Sequence, residues 1–184
     1  MRQLNVFNFL TLNGFYKGVH GDLSWHRHGE EEAKFSQDSL GADNALVFGR
    51  VTYQMMAAYW PTPLATQNNP AAASAMNAAE KIVFSRTLSR ADWSNTTLVT
   101  TDAVSALEKL KETTGRNMTI LGSGTLLAQL ADAGLIDNYQ FMIDPVVLGE
   151  GTPAFSHIRR KLDLRLTGTR TFKSGVVLLT YALN

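Results

Sequence analysis

Three short stretches combine glycine, hydroxyl and cationic side chains in a way suited to holding an anion: Gly49-Arg50-Val51-Thr52, Ser85-Arg86-Thr87 and Gly122-Ser123-Gly124-Thr125. Glycine lets backbone N–H groups come close to a phosphate, a hydroxyl donates to it, and the arginine fork matches two of its oxygens. Each stretch follows an apolar run, Ala45 to Phe48, Ile82 to Phe84 and Met118 to Leu121 respectively. Where such a run feeds a helix, the turn lies at the helix amino end, whose unpaired N–H groups and dipole favour anions. Taken singly, each turn is explained as well by plain cap and turn chemistry, since Ser and Thr are standard caps. Three at corresponding places favour one shared anion site.

Other residues offer proton or metal chemistry. Glu30-Glu31-Glu32 reads as the first turn of a helix, where the dipole stabilises acids. His26 and His28 share one side of an extended segment, as a metal pair would, yet His20 and His157 complete no ligand pattern. No metal is expected, and His26-Arg27-His28 reads as a solvated or substrate-facing loop. Cysteine is absent from the sequence, which excludes disulfides, thiolate zinc sites, iron–sulfur clusters and cysteine nucleophiles. Arg159-Arg160-Lys161 reads as solvated surface, and Asp144-Pro145 and Gly149-Glu150-Gly151 as turn chemistry. Neither standard nucleotide fingerprint occurs: Gly122-Ser123-Gly124 is followed by Leu127 where a third glycine is required, and there is no phosphate-loop lysine motif.

The elements that position these residues follow from patterning. Leu4 to Leu10, Ala45 to Phe48, Ile82 to Phe84, Leu98 to Thr100 and Met118 to Leu121 are apolar on nearly every residue, as in parallel strands covered on both faces. Between them, Asp102 opens a helix with Ala103, Leu107 and Leu110 on one face, and Ser123 or Thr125 opens another that stops at Gly134. Leu162, Leu164 and Leu166 alternate with polar residues before Lys173-Ser174-Gly175 and the run to Tyr181, an antiparallel hairpin. Residues 61–79 read as a long surface excursion ending in a short helix from Pro70. The expectation is an α/β fold, a mostly parallel central sheet flanked by helices with antiparallel strands at the carboxyl end, as one domain over residues 1–184.

The 184 residues are 45% hydrophobic, and 17 basic against 16 acidic side chains leave a net charge of +1. No strong field points to nucleic acid or to a membrane surface, and no apolar run approaches the roughly 20 residues a spanning helix needs. The apolar amino terminus, interrupted by Asn5, Asn8 and Asn13, reads as a first strand without a leader cleavage site. A cytoplasmic protein with a small-molecule partner is the expectation.

The order TLNGF (11–15), GDLSW (21–25), FGRVTY (48–53), KIVFSRTL (81–88), ILGSGTL (120–126), LIDNYQFMIDPVVLGEG (135–151), PAF (153–155) and SGVVLLTY (174–181) resembles the dihydrofolate reductase-like superfamily. Within it, the closer match is to the branch sharing the RibD carboxy-terminal reductase domain. The resemblance implies NADPH as cofactor and hydride transfer to a small heterocycle, pterin-like or a riboflavin-precursor pyrimidine of the 5-amino-6-(5-phosphoribosylamino)uracil type. It implies that Gly49, Arg50 and Thr52 clamp phosphates and that Ser85 and Arg86 meet the adenosine end with its 2′-phosphate. Gly122, Ser123, Gly124, Thr125 and Leu126 would then pass beneath the pyrophosphate and nicotinamide. Leu12 to Trp25, with Gly14, corresponds to a mobile loop over the nicotinamide, Trp25 to a pocket wall, Glu30 or Glu31 to a proton-delivering carboxylate, and Asp144 to a substrate contact. Relatives imply a homodimer. The family's usual aspartate before the loop glycine is Asn13 here, and the zinc deaminase half of the full riboflavin enzyme cannot be present without cysteine. The alternative is a non-catalytic nucleotide-binding or sensing module on the same fold.

Overall fold

A computed structural model describes residues 1–27, 29–40 and 44–184. In chain order the elements are β1 (Leu4–Thr11), β2 (Phe15–Lys17), α1 (Glu30–Leu40), β3 (Asn44–Gly49), α2 (Arg50–Tyr59), α3 (Pro63–Asn68), α4 (Pro70–Ala78), β4 (Lys81–Phe84) and β5 (Thr96–Val99). There follow α5 (Ala103–Glu112), β6 (Asn117–Leu121), α6 (Gly124–Asp132), β7 (Asn138–Asp144), β8 (Thr152–Pro153), β9 (Leu164–Thr171) and β10 (Val177–Leu183). Among the described residues, eight strands form one sheet in the order β5-β4-β3-β6-β1-β7-β10-β9, and β2 pairs with β8 apart from it. The pairs from β5 across to β7 are parallel, and β10 runs antiparallel to β7 and to β9.

The uninterrupted apolar runs are explained by burial on both faces. Along β3, Ala45 and Val47 join the core under α5 and α6, while Leu46 and Phe48 join the opposite core with Tyr53 of α2, Met76 of α4 and the half-buried Phe35 of α1. Asp102 caps α5 by accepting from the Ser105 N–H at 2.9 Å. Beyond α6, Gly134 takes a φ of +71° and Leu135 N–H reaches back to Leu130 O at 3.0 Å, a left-handed helix stop.

Register brings the functional turns level. Val47 pairs with Ile120, and two residues further on each strand come Gly49 and Gly122; Thr11 pairs with Asp144. Because a βα crossover returns each helix to the same direction, the turns after β4, β3 and β6 share the carboxyl edge.

The 61–79 segment ends in the expected helix from Pro70, and departs from expectation only in the second helix before it. It is helical nearly throughout, as α3 and α4, capped by Thr62 and Asn69, and it buries Ala65, Ala73 and Met76. Alanine is the reason: strong helix propensity combines with a side chain small enough to pack closely.

Candidate active site

Two of the anticipated anion turns interlock. Ser123 Oγ accepts the Gly49 N–H at 2.8 Å and donates to Thr52 Oγ1 at 3.0 Å, while Thr52 Oγ1 also accepts the Ser123 N–H at 3.2 Å. The Thr52 hydroxyl proton makes no bond among the described residues, so it is left for a further acceptor. Asn8, buried in β1, locks the third strand in by accepting the Gly122 N–H and donating to its carbonyl at 3.4 Å. The glycines are required by close approach: a Cβ on Gly49 would stand 3.2 Å from Ser123 Oγ, and one on Gly122, at φ +61°, 3.1 Å from Thr52.

The expected caps are not where plain cap chemistry would put them. Among the described residues α3, α4 and α5 each have a side chain accepting from the first turn, whereas α2 and α6, opening at Gly49 and Ser123, have none. A missing cap costs about 1 kcal/mol, and here it recurs on two adjacent helices whose starts are joined. Two positive helix ends therefore converge on one spot. Arg50 lies beside it, exposed and donating to Gln54 Oε1 at 3.0 Å.

Further along the edge, buried Ser85 spends its hydroxyl on the Thr87 and Leu88 N–H groups at 3.2 and 3.0 Å. Arg86 is exposed. It faces Asp102, whose carboxyl is held below its ordinary value by the Ser105 amide and further by the Arg86 charge. Thr125 is exposed, whereas Leu126 is buried in the core, so only its backbone faces the turn.

The Leu12 to Trp25 segment is folded down over this edge. Asn13 both donates to Leu148 O (2.8 Å) and accepts from Leu148 N–H (3.3 Å), a two-way pairing that an aspartate could not make. Gly14 takes a φ of +82°. Tyr16 lies across the start of α6, within 3.1 Å of where a Gly124 Cβ would be. Leu12 and Val147 stay exposed at the lip although both are apolar. Trp25 is half-buried, donating its indole N–H to Asp22 O at 3.0 Å.

Past the lip, His26 departs from the solvated one of the two loop readings, solvated or substrate-facing. It is buried, its Nδ1 lies 2.8 Å from Asp144 Oδ2, and its ring stacks on Phe9 at 3.8 Å between centroids. Asp144 is fully buried and accepts the Arg27 N–H at 2.8 Å on its other oxygen. Apolar Phe9 below and the strand end beside it explain the burial. His28 lies outside the described residues. Among the described residues, no three His, Asp or Glu side chains gather as a metal-holding group.

The three acids diverge because successive helix residues point about 100° apart. Glu30 is exposed; Glu31 pairs with Lys173 at 3.5 Å and accepts its N–H at 3.2 Å; Glu32 is buried against Ser174 Oγ, over Gly29. Arg159 and Arg160 lie elsewhere, with their N–H groups on Asp132 and the Arg160 guanidinium on Ala131 O at 3.2 Å, closing the carboxyl end of α6. Asn8, Tyr16 and Glu32 are absent from the sequence-derived site. Only Asn8 carried a signal, as a polar residue in an otherwise apolar doubly covered strand.

The arrangement has counterparts. The uncharacterised Bacillus subtilis (strain 168) protein YyaP is 29% identical over 175 residues, covering 95% of this chain and 92% of YyaP. A protein named for riboflavin biosynthesis from Shewanella sp. PV-4 superposes with a TM-score of 0.76 at 19% identity over 99% of each chain. Enterococcus faecalis dihydrofolate reductase, solved with NADP(H) and RAB-propyl, superposes with a TM-score of 0.67 at 18% identity over 99% of this chain and 96% of that one. The fold is therefore dihydrofolate reductase-like, and, with residues 2–178 matching its sequence pattern, the chain belongs to the RibD C-terminal domain family.

Proposed function

We propose that the protein is an NADPH-dependent reductase that transfers a hydride to a carbon–nitrogen or carbonyl double bond of a small heterocycle, a pterin or a riboflavin-precursor pyrimidine. The observation that carries this is the pair of uncapped helix starts, α2 and α6, stitched together by Gly49, Thr52 and Ser123. A pyrophosphate fits there: free N–H groups, the spare Thr52 proton and Arg50 supply donors, and glycines keep the cradle open. Arg86 would hold the 2′-phosphate. Bound there, NADPH supplies the hydride, while the protein orients, shields from water and moves the proton. Membership of the RibD C-terminal domain family supports the same reading.

The test is consumption of NADPH by purified protein with dihydrofolate or with 5-amino-6-(5-phosphoribosylamino)uracil. Turnover of either supports the reductase; NADPH binding without consumption by any pterin, pyrimidine or ketone acceptor indicates the non-catalytic module. Arg86→Ala should weaken NADPH about tenfold while leaving NADH nearly unchanged, because only NADPH carries the extra phosphate. Equal weakening of both rejects that role for Arg86.

A further inference from the structure

We propose that the outer face of α2 is a docking surface for a second copy of this chain, an inference that does not depend on the reductase reading. Charge is the first argument. Residues 51–79 contain no Asp, Glu, Lys, Arg or His, a run of 29 in a chain that is 18% charged. The run makes up all of α2 after Arg50 and the whole of α3 and α4, and many of its side chains face solvent. A helix face meant only for water ordinarily carries charge. Depletion of charge, with Met and aromatic side chains in its place, marks instead the centre of a protein interface.

Shape is the second argument. Val51, Met55 and Tyr59 recur every four residues along α2 and so form one ridge, 61%, 44% and 37% exposed. Tyr53, Met56 and Trp60 on the other side of the helix pack into the core, so folding makes no use of the ridge. Beside the ridge, Ala57, Ala58 and Pro61 form one wall of a groove of about 650 Å³, and Leu88 and Trp93 from the connection between β4 and β5 form the other. The charges among its lining residues are Arg90 and Asp92, which pair with each other at 2.9 Å. A ridge and a groove side by side on one helix are self-complementary. When two copies meet about a two-fold axis with their α2 helices crossing, each ridge enters the other's groove. An uncharged face does not repel its own copy, and it offers a charged partner nothing to pair with. Charge and shape therefore fit the same occupant.

The experiment is sedimentation velocity on the purified full-length protein over a concentration series up to about 100 μM, because a dimer is populated by mass action. It uses Met55→Lys on the ridge, Ala58→Glu in the groove, and Leu166→Lys, similarly exposed on β9, as the control. The wild type and Leu166→Lys should be dimers. Met55→Lys and Ala58→Glu should each weaken association about 100-fold or more, as a charge buried at the centre of an interface does. Mixing those two variants should restore a dimer, since the mixed pair sets Lys against Glu at one ridge-and-groove contact and keeps the native contact at the other. Should Met55→Lys fail to give a cooperative thermal melt, Val51→Lys takes its place on the ridge. A wild type that is monomeric throughout the series, a dimer that survives both variants, a mixture that stays monomeric, or dissociation by Leu166→Lys overturns the proposal.

Discussion

At the amino edge of the sheet, Lys81 is fully buried, donates to the carbonyls of Asn77, Ala79 and Ser94 at 3.2, 2.6 and 3.0 Å, and lies 4.4 Å from the Trp93 ring centroid. Nearby, Asp137 receives Lys111 at 2.6 Å and the Leu4 N–H at 2.7 Å. At the carboxyl edge the bookkeeping is reversed among the described residues: the first turns of α2 and α6 have no side-chain cap, apolar Leu12 and Val147 face solvent, Arg50 is exposed beside Gln54, and exposed Arg86 faces Asp102. One edge engages the charges of Lys81, Lys111 and Asp137 with protein partners. The other leaves donors and cations open at a place where the backbone is held rigidly by glycine and Asn8. The first arrangement stabilises a fold, and the second is the one we propose takes an anionic ligand.

Lys81→Met is the largest way to break that contrast. It strands three carbonyls in an apolar setting and should destabilise the protein by about 3 kcal/mol in denaturant unfolding, while leaving NADPH affinity of the folded protein unchanged. A neutral Lys81→Met would mean that the ammonium, which burial lowers to about 8, contributes nothing net. Gly122→Ala sharpens the other side. Its positive φ and the 3.1 Å approach to Thr52 predict a loss of about 1–2 kcal/mol, with weakened NADPH binding. Gly149→Ala, which meets nothing within 4 Å, is the control and should stay within about 0.5 kcal/mol of wild type.

Tyr139 is the smallest and works in the opposite direction. Its buried hydroxyl has no partner among the described residues, and burial raises the phenol to about 12 from 10.0. Tyr139→Phe should therefore stabilise by about 1 kcal/mol at neutral pH. Because the folded phenol holds its proton where the unfolded one loses it, wild-type stability falls as pH rises from 10 to about 12. The variant should lose less over that range in parallel melts; equal alkaline slopes would contradict the assignment.

Much of the fold was legible because its strands are doubly covered. Ala45 to Phe48 and Met118 to Leu121 announce themselves by continuous hydrophobicity, and Asp102 and Gly134 mark helix ends by local chemistry that needs no partner. The helix from Pro70 was legible too, but the β2–β8 pairing and α3 were not, since two- and three-residue strands and a single short helix carry no period. At the site, sequence supplied the turns but not their wiring. Ser123 lies 71 residues from Thr52 and 74 from Gly49, and nothing local says that their groups meet rather than cap their own helices. The same holds for His26, whose partner is 118 residues away. Which of Glu30, Glu31 and Glu32 turns inward depends on how α1 seats against the hairpin, a tertiary fact.

The central claim is that the carboxyl edge is built for a phosphorylated dinucleotide. Its most direct test is a titration of the purified wild-type protein with NADPH and, separately, NADH, followed by tryptophan fluorescence and thermal stabilisation, since a ligand that binds only the native state must raise its stability. The account predicts saturable binding of both, NADPH tighter, and a melting temperature that climbs with NADPH concentration. No binding of either at millimolar concentration would contradict it.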